Sequence, residues 1–185
     1  MRRLAILSTA LLPLALAAAG CGDRALVLTV NLLSFLDPSE RTQPYGPIPA
    51  NVVADFGVAD EQVNLLEGLG DAVDAESASL RVRARFENAT GSATGTIRIY
   101  VAAADTADPQ IVPPIAVLPV TLAPAETTVV AAEVPSSPQL ADALTRSSAR
   151  IAVRISLDTT GSPAPLQGVE TIEELVAIVV TKRSL

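Results

Sequence analysis

The amino-acid sequence has no histidine, no tryptophan and one cysteine, Cys21, among its 185 residues. Without histidine, the chain cannot build the Ser-His-Asp or Cys-His arrangements that activate many protein nucleophiles, and it lacks the commonest nitrogen ligand of metal ions. One cysteine excludes a disulfide within the chain. We therefore expect no catalytic residues and no cofactor, with carboxylate chemistry as the remaining route to an enzyme.

Aromatic residues are also scarce, at 3% of the sequence, whereas hydrophobic residues make up 49%. The core must then be built from Val, Ile, Leu and Ala, and sites that recognise bases or sugar rings by stacking are disfavoured. Acidic residues outnumber basic ones, 20 to 13, which gives a net charge of −7. This balance repels phosphate and argues against binding to nucleic acid.

The first twenty residues have the layout of a secretory signal. Arg2 and Arg3 are followed by an uncharged stretch at residues 4–19, and small residues precede Cys21. The uncharged stretch has 16 residues and is interrupted by Pro13, whereas a membrane-spanning helix needs about 20. The segment is therefore predicted to be a cleaved signal and not a permanent span.

The residues Ala18-Ala19-Gly20-Cys21 resemble the lipobox of bacterial lipoprotein precursors. The resemblance covers residues 1–21. It implies that residues 1–20 are removed and that Cys21 carries acyl chains, each buried CH₂ adding about 0.8 kcal/mol to membrane binding. The implied protein is extracytoplasmic and lipid-anchored. The alternative is cleavage after Ala17-Ala18-Ala19 by the ordinary signal peptidase, followed by simple secretion.

The same resemblance has consequences for where the protein lies. Lipoproteins kept at the inner membrane of two-membrane bacteria often carry Asp directly after the lipidated cysteine, whereas this chain has Gly22, which implies the outer membrane. The first predicted strand begins at Ala25, so residues 21–24 form a short tether of at most about 14 Å. Residues 25–185 are then predicted to form one domain.

Two segments, residues 79–88 and 94–102, alternate apolar and polar residues with a period of two, which indicates half-buried strands. Between them, Gly91-Ser92 has the glycine-first composition of a type II′ turn. The two segments are therefore predicted to pair as a β-hairpin. Its register would pair Phe86 with Ile97, Ala84 with Ile99, Val82 with Val101, Arg85 with Arg98 and Arg83 with Tyr100.

The remaining pattern is also mostly that of strands. The apolar run at residues 111–122 contains prolines, which cannot donate to an internal ladder, so it is assigned to a sheet edge. The apolar run at residues 175–181 is predicted to be a central strand, with a helical turn at residues 171–175 as an alternative beginning. A loop is expected at residues 41–49, a short helix from Ser136 to about Arg146, and residues 59–79 receive no assignment. Other strands are predicted at residues 25–31, 51–58, 127–134 and 151–157.

About seven or eight strands with one short helix predict an all-β fold. The expected architecture is an immunoglobulin-like antiparallel β-sandwich, in which two sheets bury their apolar faces against each other. A closed barrel is the alternative. The proline-containing strand favours the sandwich, because a closed barrel has no edge on which to place it.

A stripe of arginines is the main candidate for a binding surface. Arg81, Arg83 and Arg85 project from one face of their strand, and the predicted hairpin places Arg98 opposite Arg85. Like charges that face each other destabilise a sheet, so the stripe needs an anionic partner. Carboxylates on a neighbouring strand would supply one within the chain. An anionic lipid headgroup or an acidic envelope protein would supply one from outside.

Asp71, Asp74 and Glu76 form the densest acidic group and are weak candidates for a calcium site, because hard cations prefer carboxylate oxygens. Their spacing lacks the order of an EF-hand loop. Acidic residues in a loop of an acidic protein are usually solvated, so we expect no bound metal.

These observations favour a non-catalytic binding or structural module of the cell envelope, attached to the membrane through its acyl chains. Two alternatives remain open. The high content of Val, Leu and Ile suits a carrier that holds an apolar or lipid ligand between the sheets. The many carboxylates suit a carboxylate-dependent hydrolase.

Overall fold

The computed structural model describes residues 24–57, 61–63, 74–103, 105–106, 108–136, 140–142 and 149–183. Its strands are β1 (Arg24–Asn31), β2 (Thr42–Ile48), β3 (Val53–Phe56), β4 (Glu61–Val63), β5 (Asp74–Thr90), β6 (Ala93–Ala103), β7 (Ala116–Leu122), β8 (Glu126–Val134), β9 (Ala149–Asp158) and β10 (Leu166–Arg183). The other described elements are 3-10 turns at Leu32–Phe35 and Pro109–Ile111, the one-turn helix α1 (Pro38–Arg41), and a helical turn at residues 140–142.

The strands form two antiparallel sheets that pack face to face. Sheet 1 has the order β1-β10-β5-β8, and β2 pairs with the half of β10 that β1 leaves free. Sheet 2 has the order β3-β9-β6-β7, and β4 pairs with the part of β9 that β3 leaves free. The prediction of an all-β sandwich is therefore confirmed.

The order of the strands is that of a double-sheet jelly roll. The first strand lies beside the last one, and most links carry the chain from one sheet to the other. Among the described strands, β6 and β7 are the consecutive pair that hydrogen-bond to each other. Immunoglobulin domains instead keep several consecutive strands as neighbours within a sheet. The sandwich was thus predictable, whereas its connectivity is closer to a jelly roll than to an immunoglobulin domain.

The predicted hairpin between residues 79–88 and 94–102 is wrong in its pairing. Both segments are strands, but β5 pairs with β10 and β8, whereas β6 pairs with β9 and β7. Gly91, whose φ is +72°, leads the chain from one sheet to the other. The pairing of Tyr100 with Arg83 fails for the same reason. The two apolar faces meet across the core, because a period of two specifies the buried face and not the hydrogen-bonded neighbour.

Two further predictions are wrong. The loop expected at residues 41–49 contains β2, which pairs with β10 alone and so lies at an edge, where the missing N–H groups of Pro44 and Pro47 are tolerated. The helical turn considered at residues 171–175 is absent, since β10 runs without interruption through those residues.

The other strand predictions are confirmed, but several ends differ: β10 begins at Leu166, nine residues before the predicted start, β5 begins five residues earlier and β7 five residues later than predicted. The strand with Pro119, β7, lies at the edge of sheet 2, and β10 is central because it has neighbours on both sides. The unassigned residues 59–79 include β4 and the beginning of β5. Of the helix predicted from Ser136, residues 140–142 are helical, and its later part lies outside the described residues.

The core lies between the two sheets and is mostly aliphatic. The leucines of the first 3-10 turn and Leu140 also belong to it. None of the helical elements in the described part of the chain has the length and apolarity that a membrane span requires. The inward positions predicted for β5, β6 and β9 are all buried: Leu80, Val82, Ala84, Phe86, Ile97, Ile99, Val101, Ile151, Val153, Ile155 and Leu157.

Replacing Phe86, which is fully buried, tests this core. Phe86→Ala should lower the free energy of unfolding by about 3–5 kcal/mol, because the change removes apolar contacts and leaves a cavity. Val117→Ala, at a side chain that is 51% exposed on the edge strand β7, is the control and should change stability by less than about 0.5 kcal/mol. Denaturant unfolding measures both. Equal effects would contradict the inward assignment of Phe86.

Candidate functional site

The arginine stripe lies on the outer face of sheet 1, and carboxylates from β10 reach it. Arg83 Nε donates to Glu173 Oε2 at 2.8 Å. Arg81 Nε lies 3.4 Å from Glu174 Oε1. The intramolecular carboxylates considered from the sequence are therefore present on a neighbouring strand, which confirms that alternative.

Arg85 is held between two carboxylates. Its Nε lies 2.8 Å from Glu173 Oε1, and its Nη1 contacts Glu87 two residues further along β5. The Nε–H group makes no hydrogen bond despite the short distance, so the contact with Glu173 is an ion pair whose N–H is not aligned with the oxygen. Glu173 thus bridges Arg83 and Arg85, which would otherwise repel each other.

Two consecutive glutamates reach this face because β10 contains a bulge. The register of β10 against β5 shifts between Ile172 and Glu174. Ile172 and Leu175 are both buried, although they are three residues apart, while Glu173 and Glu174 both contact the arginines. A bulge inserts one extra residue into a strand. Here it keeps the apolar residues inward on both sides while it adds a second carboxylate to the outer face.

Arg98 lies on the other sheet and is not part of this surface, so its predicted pairing with Arg85 is wrong. Its neighbour on β9 is Arg154. Arg154 Nη2 donates to Asp55 Oδ2 at 2.7 Å. Hydrogen bonds from Ser156 and then from Arg154 hold the pKa of Asp55 below its usual range. The outer face of sheet 2 therefore has a separate charge cluster.

The arginine stripe is electrically balanced where it lies. Three arginines contact three glutamates, and Glu133 of β8 lies opposite Arg81 on the other side. Exposed pairs of this kind contribute less than about 1 kcal/mol each. An external anion would nevertheless have to displace a carboxylate to reach the arginines. Contact with an anionic headgroup or an acidic protein stays a prediction that this geometry does not favour.

The other candidate residues fall partly outside the described chain. Cys21 and Asp71 lie outside it, and Asp74 and Glu76 are placed in β5 by backbone alone. Within the described residues, no three Asp, Glu, Cys or His side chains come together as a metal site. The weak calcium site stays a prediction.

An open groove lies on sheet 1 at the end opposite to the beginning of β1. It has a volume of about 480 Å³, within the range of small-ligand sites. Strands β2, β5, β8 and β10 contribute its walls. Its charged lining residues are Glu87 and Glu126, and no lysine or arginine lines it. Its other lining residues are Pro44, Asn88, Ala89, Ala125, Thr127, Gln167, Gly168 and Val169.

A buried polar group lies beneath this groove. The Tyr45 hydroxyl donates to Asn88 Oδ1 at 3.3 Å, and Asn88 Nδ2 lies 2.8 Å from the carbonyl oxygens of Gly91 and Ala123, to which it donates. Asn88 thereby ties two turns to the end of β5. The ring of Tyr45 stacks on Phe56, with centroids 6.0 Å apart.

The sandwich interior contains one buried carboxylic acid, Glu170, in the described residues. Its side chain is 2% exposed and neither oxygen has a hydrogen-bond partner in the described structure. It lines a cavity otherwise bounded mainly by apolar side chains, with about 10 Å³ open to the centre of a water molecule. That space holds about one water. Burial raises the pKa of Glu170 to about 7.

Sequence reasoning missed Glu170. The available signal was the alternation of Leu166, Gly168, Glu170 and Ile172, which places the glutamate on the same face as its apolar neighbours. Continuing that alternation to Leu175 requires the bulge after Ile172. A bulge inserts a residue without a distinctive sequence, so the pattern appears broken when read along the chain.

No protein-family model and no curated protein matches the chain. Among solved structures, it is similar to a chain in the structure of infectious bursal disease virus Gx strain, with 12% identity and a TM-score of 0.44, over 86% of this chain and 36% of that one. A chain in the structure of the Gt strain gives 14% identity, a TM-score of 0.42, and coverage of 88% and 37%. The protein thus spans little more than a third of those viral chains.

Glu170→Gln should make stability less dependent on pH. A buried carboxyl whose pKa is raised from 4.5 to about 7 keeps its proton better in the folded state, so the folded protein loses stability as pH rises from about 4.5 to 7. The free energy of unfolding of the wild type should fall by about 3 kcal/mol over that window. That of the amide variant should not show this fall. Urea unfolding at pH 4 and pH 8 measures the difference.

Glu133→Gln, at an exposed residue of β8, is the matched control for that experiment and should keep the wild-type dependence on pH. A wild type and a Glu170→Gln variant with the same pH profile would contradict the burial of an unpaired carboxyl.

Proposed function

We propose that this protein is a lipid-anchored lipoprotein of the bacterial cell envelope that acts as a non-catalytic binding or structural module. The observation that carries the proposal is the position of Cys21, at the end of a signal-type segment and three residues before Arg24, where β1 begins. Three extended residues span about 10 Å at most. An acylated Cys21 would therefore hold the sandwich next to the lipid surface.

This arrangement gives the sandwich a membrane-near end and a membrane-far end. Arg24 pairs with Arg183, so β1 begins beside the end of β10. The groove lies near the other end of β10, around Gln167 and Val169. The 18 residues of β10 cover about 50–60 Å at the rise of a strand. The groove would thus lie at the membrane-far end, where it could meet a partner beyond the lipid surface.

The chemistry of the groove supports a partner with a basic group. Glu87 and Glu126 face it, while Arg85 contacts Glu87 from the neighbouring outer surface. A protein or peptide that presents a lysine or arginine would complement Glu126 and pack against Pro44 and Val169. Partner binding in this groove requires no nucleophile and no metal.

The two alternatives find less support. The cavity beside Glu170 has room for about one water, so an acyl chain would have to push the sheets apart. A hydrolase using two carboxylates needs both of them near the reacting bond. In the described interior, the titratable group near Glu170 is Tyr45, which is not a second carboxylate and whose pKa is raised to about 12 by burial and then by Glu170. The groove has two glutamates in its lining, Glu87 and Glu126, but Glu87 is paired with Arg85.

Cys21→Ser tests the anchor. In a bacterial host fed a labelled fatty acid, the wild type should incorporate label and fractionate with membranes, because acylation creates the new amino terminus at Cys21. Cys21→Ser should lose both properties, whereas the control Gly22→Ala should keep the label. Intact mass identifies the first mature residue. An unacylated wild type, or one that begins after residue 21, would refute the lipoprotein assignment.

Photo-crosslinking tests the groove. A photoreactive side chain at Thr127, in the groove, should give one discrete adduct with an envelope component in intact cells. The same group at Val53, which is 66% exposed on sheet 2, should not give that adduct. Glu126→Lys should abolish it by reversing the charge. An identical pattern at both positions would contradict a partner site at the groove.

A further inference from the structure

The proposed function assigns no role to Glu170, a carboxylic acid buried between the two sheets. It lies on the inner face of β10, opposite Phe86 of β5 and Gln43 of β2. Both carboxyl oxygens are shielded from solvent and form no hydrogen bond in the described structure. Leaving such a group unpaired inside a protein is costly, and the cost becomes much larger when the group is ionised. Its retention in the core calls for an explanation.

The donors of β2 that lie nearest to Glu170 in the sheet register are already engaged elsewhere. Gln43, which lies opposite Glu170, donates through Nε2 to the Glu40 carbonyl oxygen at 3.4 Å. The Tyr45 hydroxyl donates to Asn88.

From β5, β6 and β9, the residues that line the cavity with Glu170 are apolar. Tyr45 of β2 is thus the titratable group that faces it in the described structure, and it gives the carboxylate no compensating positive charge.

The element that covers Glu170 at the sheet edge is β2, and β2 is weakly held. It pairs on one side only, with β10. Pro44 and Pro47 provide no N–H group to the ladder. The buried side chains of β2 are Tyr45 and Ile48. The ring of Tyr45 is stacked on Phe56 and tilted against Phe86, with ring centroids 6.0 and 6.3 Å apart.

We propose that Glu170 is the proton-sensitive part of a gate formed by β2. With its carboxyl protonated, Glu170 stays between the sheets and β2 stays paired with β10. When the carboxyl ionises, β2 separates from β10 around Tyr45, and water enters to hydrate the carboxylate. No bond is made or broken except the loss of the carboxyl proton to solvent.

The gate is connected to the groove by direct contact. Pro44 and Gly168 both line the groove, and Gly168 forms part of its floor above Tyr45. A Cβ atom at Gly168 would lie 2.3 Å from the Tyr45 hydroxyl oxygen, so nothing but the glycine backbone fits there. Movement of β2 would therefore alter the groove wall and floor together. In this respect the gate rests on the groove being the partner site of the proposed function.

Hydrogen exchange measures the gate without a partner. The sample is the full mature chain, in detergent micelles if it is acylated, at pH 5 and pH 8, with rates corrected for the intrinsic effect of pH on exchange. Protection of the β2 segment should fall on the order of 50-fold between these pH values, since the pKa of the carboxyl is about 7 when buried and 4.5 when hydrated. Protection of β7, an edge strand of sheet 2, should change far less and serves as the control within the same molecule.

Variants separate the gate from general loosening. Glu170→Gln should remove the pH dependence of β2, and Glu133→Gln should keep it. A β2 segment whose protection does not change with pH, or changes no more than that of β7, would overturn the gate, and so would a change that persists in Glu170→Gln. If Glu170→Gln does not fold, the wild type alone is the test: the gate requires that the protection of β2 depend on pH far more than that of β7. Neither readout depends on acylation or on crosslinking at Thr127, so the gate can fail while the proposed function stands, and the reverse.

Discussion

The apolar contact between the inner faces of the two sheets is the constraint on which the rest of the structure depends. The chain has few aromatic side chains, so this contact is made mainly by Leu, Ile, Val and Ala from β5, β6, β9 and β10. Each buried CH₂ contributes about 0.8 kcal/mol. A sandwich closed by small side chains needs nearly every inward position to be apolar, and the strands keep to this rule with few exceptions.

One consequence of that rule is the bulge in β10. The sequence Ile172-Glu173-Glu174-Leu175 has two adjacent charges that an unbroken alternation cannot place on one face. The extra residue at the bulge lets Ile172 and Leu175 both stay inside while the two glutamates meet the arginines of β5. The ion pairs of the arginine stripe therefore follow from core packing. Because Ile172 and Leu175 must both lie inside, the two glutamates between them lie on the outer face, where they pair with the arginines.

The other consequence is the conflict at Glu170. Because of its position in the alternation, Glu170 lies on the inner face. There the nearby donors of β2 donate to other groups, and the cavity has room for about one water. This conflict lies under the edge strand β2, which pairs with β10 alone, and beside the groove. Local violations of packing rules are expected at functional positions. The groove and the acid beneath it are thus two aspects of one region, while the arginines further along sheet 1 are paired with glutamates.

The residue pattern was sufficient to predict the all-β class, most of the strands and the buried faces of three of them. Alternation with a period of two predicted the inward residues of β5, β6 and β9, and Pro119 indicated an edge strand, because both depend on one strand and its own geometry. The pairing partners were decided by the tertiary structure alone: β5 and β6 have matching apolar faces whether they lie side by side or face to face. For the same reason, Arg98 lies on the other sheet from Arg85. The burial of Glu170 depends on the register of β10, which includes the bulge after Ile172. Contacts between distant strands carry no local signature, so which charges neutralise each other and which acid lies in the core follow from the assembled sandwich.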